Sequence, residues 1–356
     1  MRAARSGAIG PPSLAEVGGR AADRIIALLD AELVRWREVD TDLVEPLVAL
    51  RDLITAGGKR LRPAFCHWAF VGAGGDPDNA VAIDVGAALE LLHTFALVHD
   101  DVMDGSDFRR GRPAVHRRFI TEHERAAWRS EARRFGEGAA ILVGDFAFVY
   151  ADILFAAAPP AARPVFDELR LELCVGQYLD LVGTASGSSE RTKAERIERY
   201  KSGKYTVERP LHLGAALAGR LDELAAPLSA VGLPLGEAFQ LRDDLLGVFG
   251  DAEVTGKPVG DDLREGKLTP LVAAAVARAD GSAAALLDRL GSPDLTTGEI
   301  AALQAVLVET GARDEVEAAI ERRVDQGLAA LAVAPLTAEA RQALEELGTF
   351  VAWRDR

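Results

Sequence analysis

The sequence predicts an all-α protein, a single helical bundle around one cavity, and three observations predict it. Ala and Leu recur in almost every block while aromatics make up only 6% of the 356 residues, a composition that favours helix by intrinsic propensity. From Asp23 onward apolar residues recur at helical spacing, as in RIIALLDAELVRW and VAIDVGAALELLHTFALVHD, with no sustained two-residue alternation. No repeat of fixed period runs through the chain, which argues for one bundle rather than a solenoid.

The helix breakers punctuate this pattern. They fall at 57–63 (GGKRLRP), 72–79 (GAGGDPDN), 111–113 (GRP), 158–164 (APPAARP), 184–189 (TASGSS) and in the Gly/Pro-rich 250–266 region, and so predict roughly ten helices. The domain plan is a loose tail over 1–20, rich in Gly, Pro, Ala and Ser, followed by one domain over 21–356. Within it the charged stretch 118–138 reads as a surface insertion, and 315–354 as closing helices without chemistry.

Charge and cysteine usage remove several function classes. A formal charge of −14 leaves no basic field for nucleic acid or an anionic lipid surface. Cys66 and Cys174, the only cysteines, lie in apolar stretches, which fits buried thiols in a reducing cytoplasm rather than a disulfide framework. The N-terminus lacks the apolar run of a secretory signal, and no segment is expected to span a membrane.

Chemistry concentrates where apolar helices end in acids. In LLHTFALVHDDVMD, Asp104 lies about 40° round from Asp100 and one turn further on, so the two carboxylates share a face, with Asp101 adjacent. Like charges so placed repel unless a cation sits between them. Oxygen-only ligands of this kind suit magnesium, which takes one or two carboxylates plus substrate phosphates. An isolated cluster is equally the signature of a solvated acidic helix end. The second cluster, Asp243 and Asp244 in EAFQLRDDLLGVFGD, changes that balance, because two clusters facing each other across a bundle can hold several ions around one diphosphate.

Cations stand where a second diphosphate needs them. In GGKRLRP the glycines let backbone approach a ligand while Lys59 and Arg62 supply donors. His93 is two turns before Asp100 on the same face, although a histidine in an apolar helix is usually a satisfied core residue. Arg109 and Arg110 follow within a few residues of the metal carboxylates, on a turn that can point them apart, one toward each diphosphate. Lys201 in RYKSGKYT and Lys257 in VTGKP can neutralise a leaving group, with Ser202 and Gln240 adding hydrogen bonds.

GGKRLRP, LLHTFALVHDDVMDGSDFRRGRP, AILVGD, GQYLDL, YKSGKYT and FQLRDDLLGVFGD follow one another in this order. By that ordered set the chain resembles the trans-isoprenyl diphosphate synthase (polyprenyl synthetase) family from about residue 25 to 350, closest in pattern to bacterial geranylgeranyl diphosphate synthases. The resemblance implies antiparallel helices around a deep cavity, a homodimer and three magnesium ions. It implies that Asp100, Asp101 and Asp104 form the first aspartate motif, that Asp243 and Asp244 belong to the second, and that Asp100, Asp104 and Asp243 bind metal. Lys59, Arg62, His93 and Arg110 would hold isopentenyl diphosphate. Arg109, Lys201, Ser202, Gln240 and Lys257 would hold the allylic diphosphate, which is dimethylallyl, geranyl or farnesyl.

Two departures from the family pattern stand out. Gly247 replaces the last acid of the second motif, leaving Asp251 or Asp261 to compensate through water, and Ser202 replaces the usual Thr. The expected reaction is ionisation of the allylic diphosphate followed by attack of the isopentenyl double bond, in a dry pocket that orients and polarises. Phe95 lies five residues before Asp100, about 7.5 Å along the helix, beside the small Ala96. In the family an aromatic so placed next to a small residue resembles twenty-carbon synthases, so geranylgeranyl diphosphate is the expected product, with farnesyl or longer products as alternatives. A terpene cyclase would have no second diphosphate to bind, which the basic motifs oppose. A catalytically silent subunit would tend to lose aspartates that this chain keeps.

Overall fold

The computed structural model describes residues 10–186, 190–250, 259–267, 269–292 and 294–353. Its helices are α1 (Pro12–Arg37), α2 (Val44–Thr55), α3 (Leu61–Gly72), α4 (Ala80–Asp104), α5 (Val115–Arg125), α6 (Ala132–Phe155), α7 (Arg163–Ser186) and α8 (Arg191–Glu198). A π-helical turn over Arg199–Glu208 leads into α9 (Arg209–Leu217) and the long α10 (Leu221–Phe249). The chain continues through α11 (Asp261–Glu265), α12 (Pro270–Val276), α13 (Gly281–Leu287), α14 (Thr297–Glu309), α15 (Ala312–Val333) and α16 (Ala338–Trp353). Among the described residues the sole β pairing is a hairpin of Phe108–Arg109 with Arg112–Pro113.

Two long helices position the site. Helix α4 starts where the Asn79 side chain accepts a bond from the Ala82 amide and stops at Gly105, whose φ of 67° is the left-handed cap that glycine adopts freely. Its buried Leu89, Leu91 and Leu92 pack with α2, α6 and α7 in one core cluster. Helix α10 is shared by two others. Its Leu224, Leu228 and Val231 pack with α3, α9 and α16, and its Leu241, Leu245 and Val248 with α14 and α15. With each helix apolar toward its neighbours, the acidic ends of α4 and α10 are left facing one cavity.

The predicted tail is shorter than its composition suggests. Residues from Pro12 are helical, Leu14 and Val17 are buried against α16 and α3, and the Trp68 indole donates to the Ser13 carbonyl at 2.8 Å. A Cβ at Gly18 would meet the Arg60 side chain at 3.0 Å, so the glycine eases the close approach of α1 to Arg60. The stretch 118–138 is largely exposed, but it is also anchored: Phe119, Ile120 and His123 of α5 are buried, and α6 begins at Ala132. The charges there lie on the outer face, with Arg118 paired to Glu45 and Asp52.

The expectation that no segment reaches membrane-spanning length also needs correction. Helices α4 and α6 are both long and apolar enough, with 61% and 44% of their most apolar windows buried inside the protein. Helix α4 is apolar all round because neighbours surround it. Helix α6 leaves Ile141, Leu142, Val149 and Ile153 exposed on one side.

Candidate active site

The last turns of α4 and α10, the π-helical turn and α11 enclose a polar cavity of about 340 Å³. Asp100, Asp104, Asp243, Asp244, Asp180 and Asp262 line it, opposed by Lys59, Arg109, Lys201 and Lys267. A second cavity of about 670 Å³ shares Lys59, Asp100, Arg109, Lys201, Ser202, Gln240 and Asp243 with the first and runs on along α4 and α7. One continuous space therefore joins an acidic chamber to a basic cradle and an apolar groove.

The π-helical turn brings Lys201 to this space. It packs on α10 through Gly203 and Gly236, where any side chain on Gly236 would collide with the Gly203 backbone. The Lys201 ammonium donates to Asp180 at 2.6 Å and lies 3.6 Å from Asp100. Burial opposes its charge, but Asp100 and Asp180 hold its pKa above the ordinary lysine value.

The carboxylates are not equivalent. Asp101 lines neither cavity. It is 1% exposed and accepts from Arg109 Nε at 2.9 Å, so its part is to aim Arg109 and not to face the chamber. Asp244 is buried and accepts from the Gln240 amide at 2.7 Å. Burial, then Asp262 and Asp243, push its pKa well above the usual carboxylate range. Asp104 is pushed up by burial against the pull of Lys267, 3.4 Å away. This is a chamber with surplus negative charge.

Such a chamber fits a hard divalent cation. The donors are oxygen only, and Asp244, pushed up by burial and then by Asp262 and Asp243, carries like-charge repulsion that a cation would relieve. Among the described residues no three His, Cys, Asp or Glu side chains already form a metal cage. Magnesium draws much of its shell from water and phosphate.

The two arginines of the hairpin part company as their turn allows. Arg110 adopts φ 53° and Gly111 φ 71°, a tight turn that sends Arg109 to Asp101 and Arg110 to the Leu53 carbonyl at 2.7 Å. Arg110 joins Lys59, Arg62 and His93 in lining the basic cradle. Arg62 donates to Thr206 at 2.8 Å and stacks 4.2 Å over the Tyr205 ring. His93 is half-buried next to Arg62, Arg110, Arg60 and Arg109, and desolvation together with those cations keeps its ring neutral, well below the ordinary histidine pKa. Lys257 and Asp251 lie outside the described residues.

Several members of the site escape the motif reading. Glu90, with a side chain 2% exposed, pairs with Arg60 and lies 3.7 Å from Arg110. An acid in an apolar run three residues before His93, and so on its face, was the available signal. Asp180 stands inside the recognised GQYLDL. Asp262 and Lys267 come from the Gly/Pro-rich stretch, where no periodicity singles them out. Asp262 fills the space beside Gly247: a side chain at 247 would collide with the Asp262 carboxylate.

A bundle that sets an acidic, cation-seeking chamber against a basic cradle and an apolar groove defines an enzyme for diphosphates with apolar tails. Residues 46–307 match the polyprenyl synthetase family, and the chain belongs to that family. It is 37% identical over 279 residues to a short chain isoprenyl diphosphate synthase of Methanothermobacter thermautotrophicus, covering 73% of this chain and 77% of that one. It is 32% identical to a geranylfarnesyl diphosphate synthase of Aeropyrum pernix, over 85% of this chain and 92% of the relative. Among solved structures it is similar to geranylgeranyl pyrophosphate synthase from Corynebacterium glutamicum complexed with isoprenyl diphosphate and magnesium. There the TM-score is 0.91 with 34% identity, covering 96% of this chain and 99% of the other. The chain is thus a trans-prenyltransferase of the all-α isoprenyl synthase fold, a family that uses magnesium, isopentenyl diphosphate and allylic diphosphates.

Proposed function

We propose that this chain condenses isopentenyl diphosphate with dimethylallyl, geranyl and farnesyl diphosphate to give linear all-trans geranylgeranyl diphosphate, as a cytoplasmic homodimer with three magnesium ions. The observation that carries the length is the wall of the apolar groove. The Phe95 ring sits 4.5 Å from His99 and 5.0 Å from Phe148 of α6, between centroids, while Ala96 leaves the groove open beside it. An aromatic held between two others cannot swing aside, so it is suited to stop a growing tail.

Asp100, Asp104 and Asp243 are the residues that would hold magnesium, which when bound supplies Lewis-acid stabilisation of the departing diphosphate. Lys201, Arg109 and Ser202 face the same chamber and would bind the allylic diphosphate oxygens. Lys59, Arg62, Arg110 and neutral His93 would orient isopentenyl diphosphate in the cradle. The allylic C1–O bond breaks with its electron pair passing to diphosphate. C4 of isopentenyl diphosphate then bonds to C1, and the proton lost from C2 of the incoming unit leaves to the released diphosphate. The side chains provide charge and alignment throughout.

A second copy of this chain fits the apolar face of α6 and α7, where Leu142, Val149, Ile153, Leu171 and Tyr178 are each more than half exposed. Product analysis tests the whole reading. Purified protein, magnesium and labelled isopentenyl diphosphate are incubated with each starter in turn. A twenty-carbon diphosphate is expected; another linear length refutes the Phe95 argument alone, and no elongation refutes the reaction.

A further inference from the structure

Lys267 lies within ion-pair distance of three carboxylates. Its ammonium is 2.5 Å from Glu265, 3.4 Å from Asp104 and 3.7 Å from Asp262, so one side chain ties the end of α4 to α11 across the acidic chamber. Asp104 belongs to the first aspartate motif. Asp262 is pressed against Gly247 of α10, at the position where the second motif lacks its last acid. The lysine therefore stands between the two acidic clusters, where mutual repulsion is greatest. Its side chain is 20% exposed, and it lines the chamber beside Asp243 and Asp244.

We propose that Lys267 is a tethered counter-cation that holds the two acidic clusters together in the unloaded enzyme and competes with divalent cations for them until a diphosphate arrives. A single mobile positive charge at this place lowers the repulsion among Asp104, Asp262 and Glu265. It also raises the threshold for metal binding, so that metal without diphosphate occupies the chamber poorly. Diphosphate brings the negative charge that lets lysine and metal coexist. Gly247 is part of the same arrangement, since any larger residue there would displace Asp262 from the lysine. The inference rests on the magnesium-dependent diphosphate reading and deepens it.

The test is binding of Mn²⁺, followed by electron paramagnetic resonance, to the full chain, Lys267→Met and Lys267→Arg, without substrate and then with inorganic diphosphate. Without diphosphate, Lys267→Met is expected to bind Mn²⁺ at least about tenfold more tightly than the unmodified chain, because a nearby like charge is gone. Lys267→Arg, which keeps the charge, is expected to bind as weakly as the unmodified chain. Unchanged or weaker binding by Lys267→Met overturns the proposal, as does equal tightening in both variants; a lysine that only braces the fold would shift melting and leave this affinity alone. Should Lys267→Met be unfolded in metal-free buffer, the proposal requires Mn²⁺ to restore its native circular dichroism, and failure to do so overturns it. Failure of the unmodified chain to bind Mn²⁺ even with diphosphate would instead refute the metal-dependent reading beneath it.

Discussion

Replacing Glu90 by Gln removes the carboxylate that pairs with Arg60 and Arg110 in the basic cradle. The perturbation is clean, because Gln keeps the shape and leaves the Arg60 and Arg110 guanidiniums without their shared counter-charge. Both members of the Glu90–Arg60 pair are nearly inaccessible, with side chains 2% and 7% exposed, so water cannot take over. Breaking such a pair from one side costs about 3–5 kcal/mol. Unfolding entropy near 2.1 cal/mol/K per residue gives roughly 0.75 kcal/mol per kelvin for 356 residues, so the melting temperature should fall by about 4–7 °C. Thermal melts followed by circular dichroism measure this, with and without inorganic diphosphate. The ligand supplies the lost negative charge, so it should raise the variant's Tm by more than that of the unmodified chain. A fall of less than about 1 °C would refute the view that Glu90 neutralises the empty cradle.

Other outcomes follow from the same geometry. Phe148→Ala frees the Phe95 ring to move, and the product should lengthen by one or more isoprene units in a chromatographic assay; an unchanged product would mean that Phe148 does not support the floor. His93 is held neutral when folded but protonates near pH 6.5 when unfolded, so its contribution to stability is present above that pH and lost as pH falls below it. His93→Gln should therefore flatten part of the loss of Tm between pH 7 and 5, and an identical pH profile would contradict its neutral state. Leu142→Glu places a charge on the exposed face of α6 and should shift the molar mass by light scattering from dimer toward monomer; a dimer that survives would move the interface elsewhere.

Much of the site was legible because its chemistry is local. A helix puts residues four apart on one face, so Asp100 and Asp104 could be paired, and the ends of apolar runs marked where carboxylates would emerge. Composition misled at 12–20, and at 118–138 it hid the buried face of α5, since polar and small residues there cover faces that pack on distant helices. Asp101 shows the same limit at the level of a single side chain. Its adjacency placed it in the first aspartate motif, yet its carboxylate is buried and accepts from Arg109, eight residues on.

The sequence by itself therefore determined the helical class and the two acidic helix ends, since each depends on residues within a few turns of one another, and its ordered motifs carried the resemblance from which the reaction was expected. Only the tertiary structure decided which carboxylates face the chamber, that Glu90 balances Arg60 and Arg110, and that Asp262 and Lys267 complete the acidic site beside Gly247. Those assignments join elements far apart along the chain, and the distances between such elements are set by how helices pack, which no local spacing encodes.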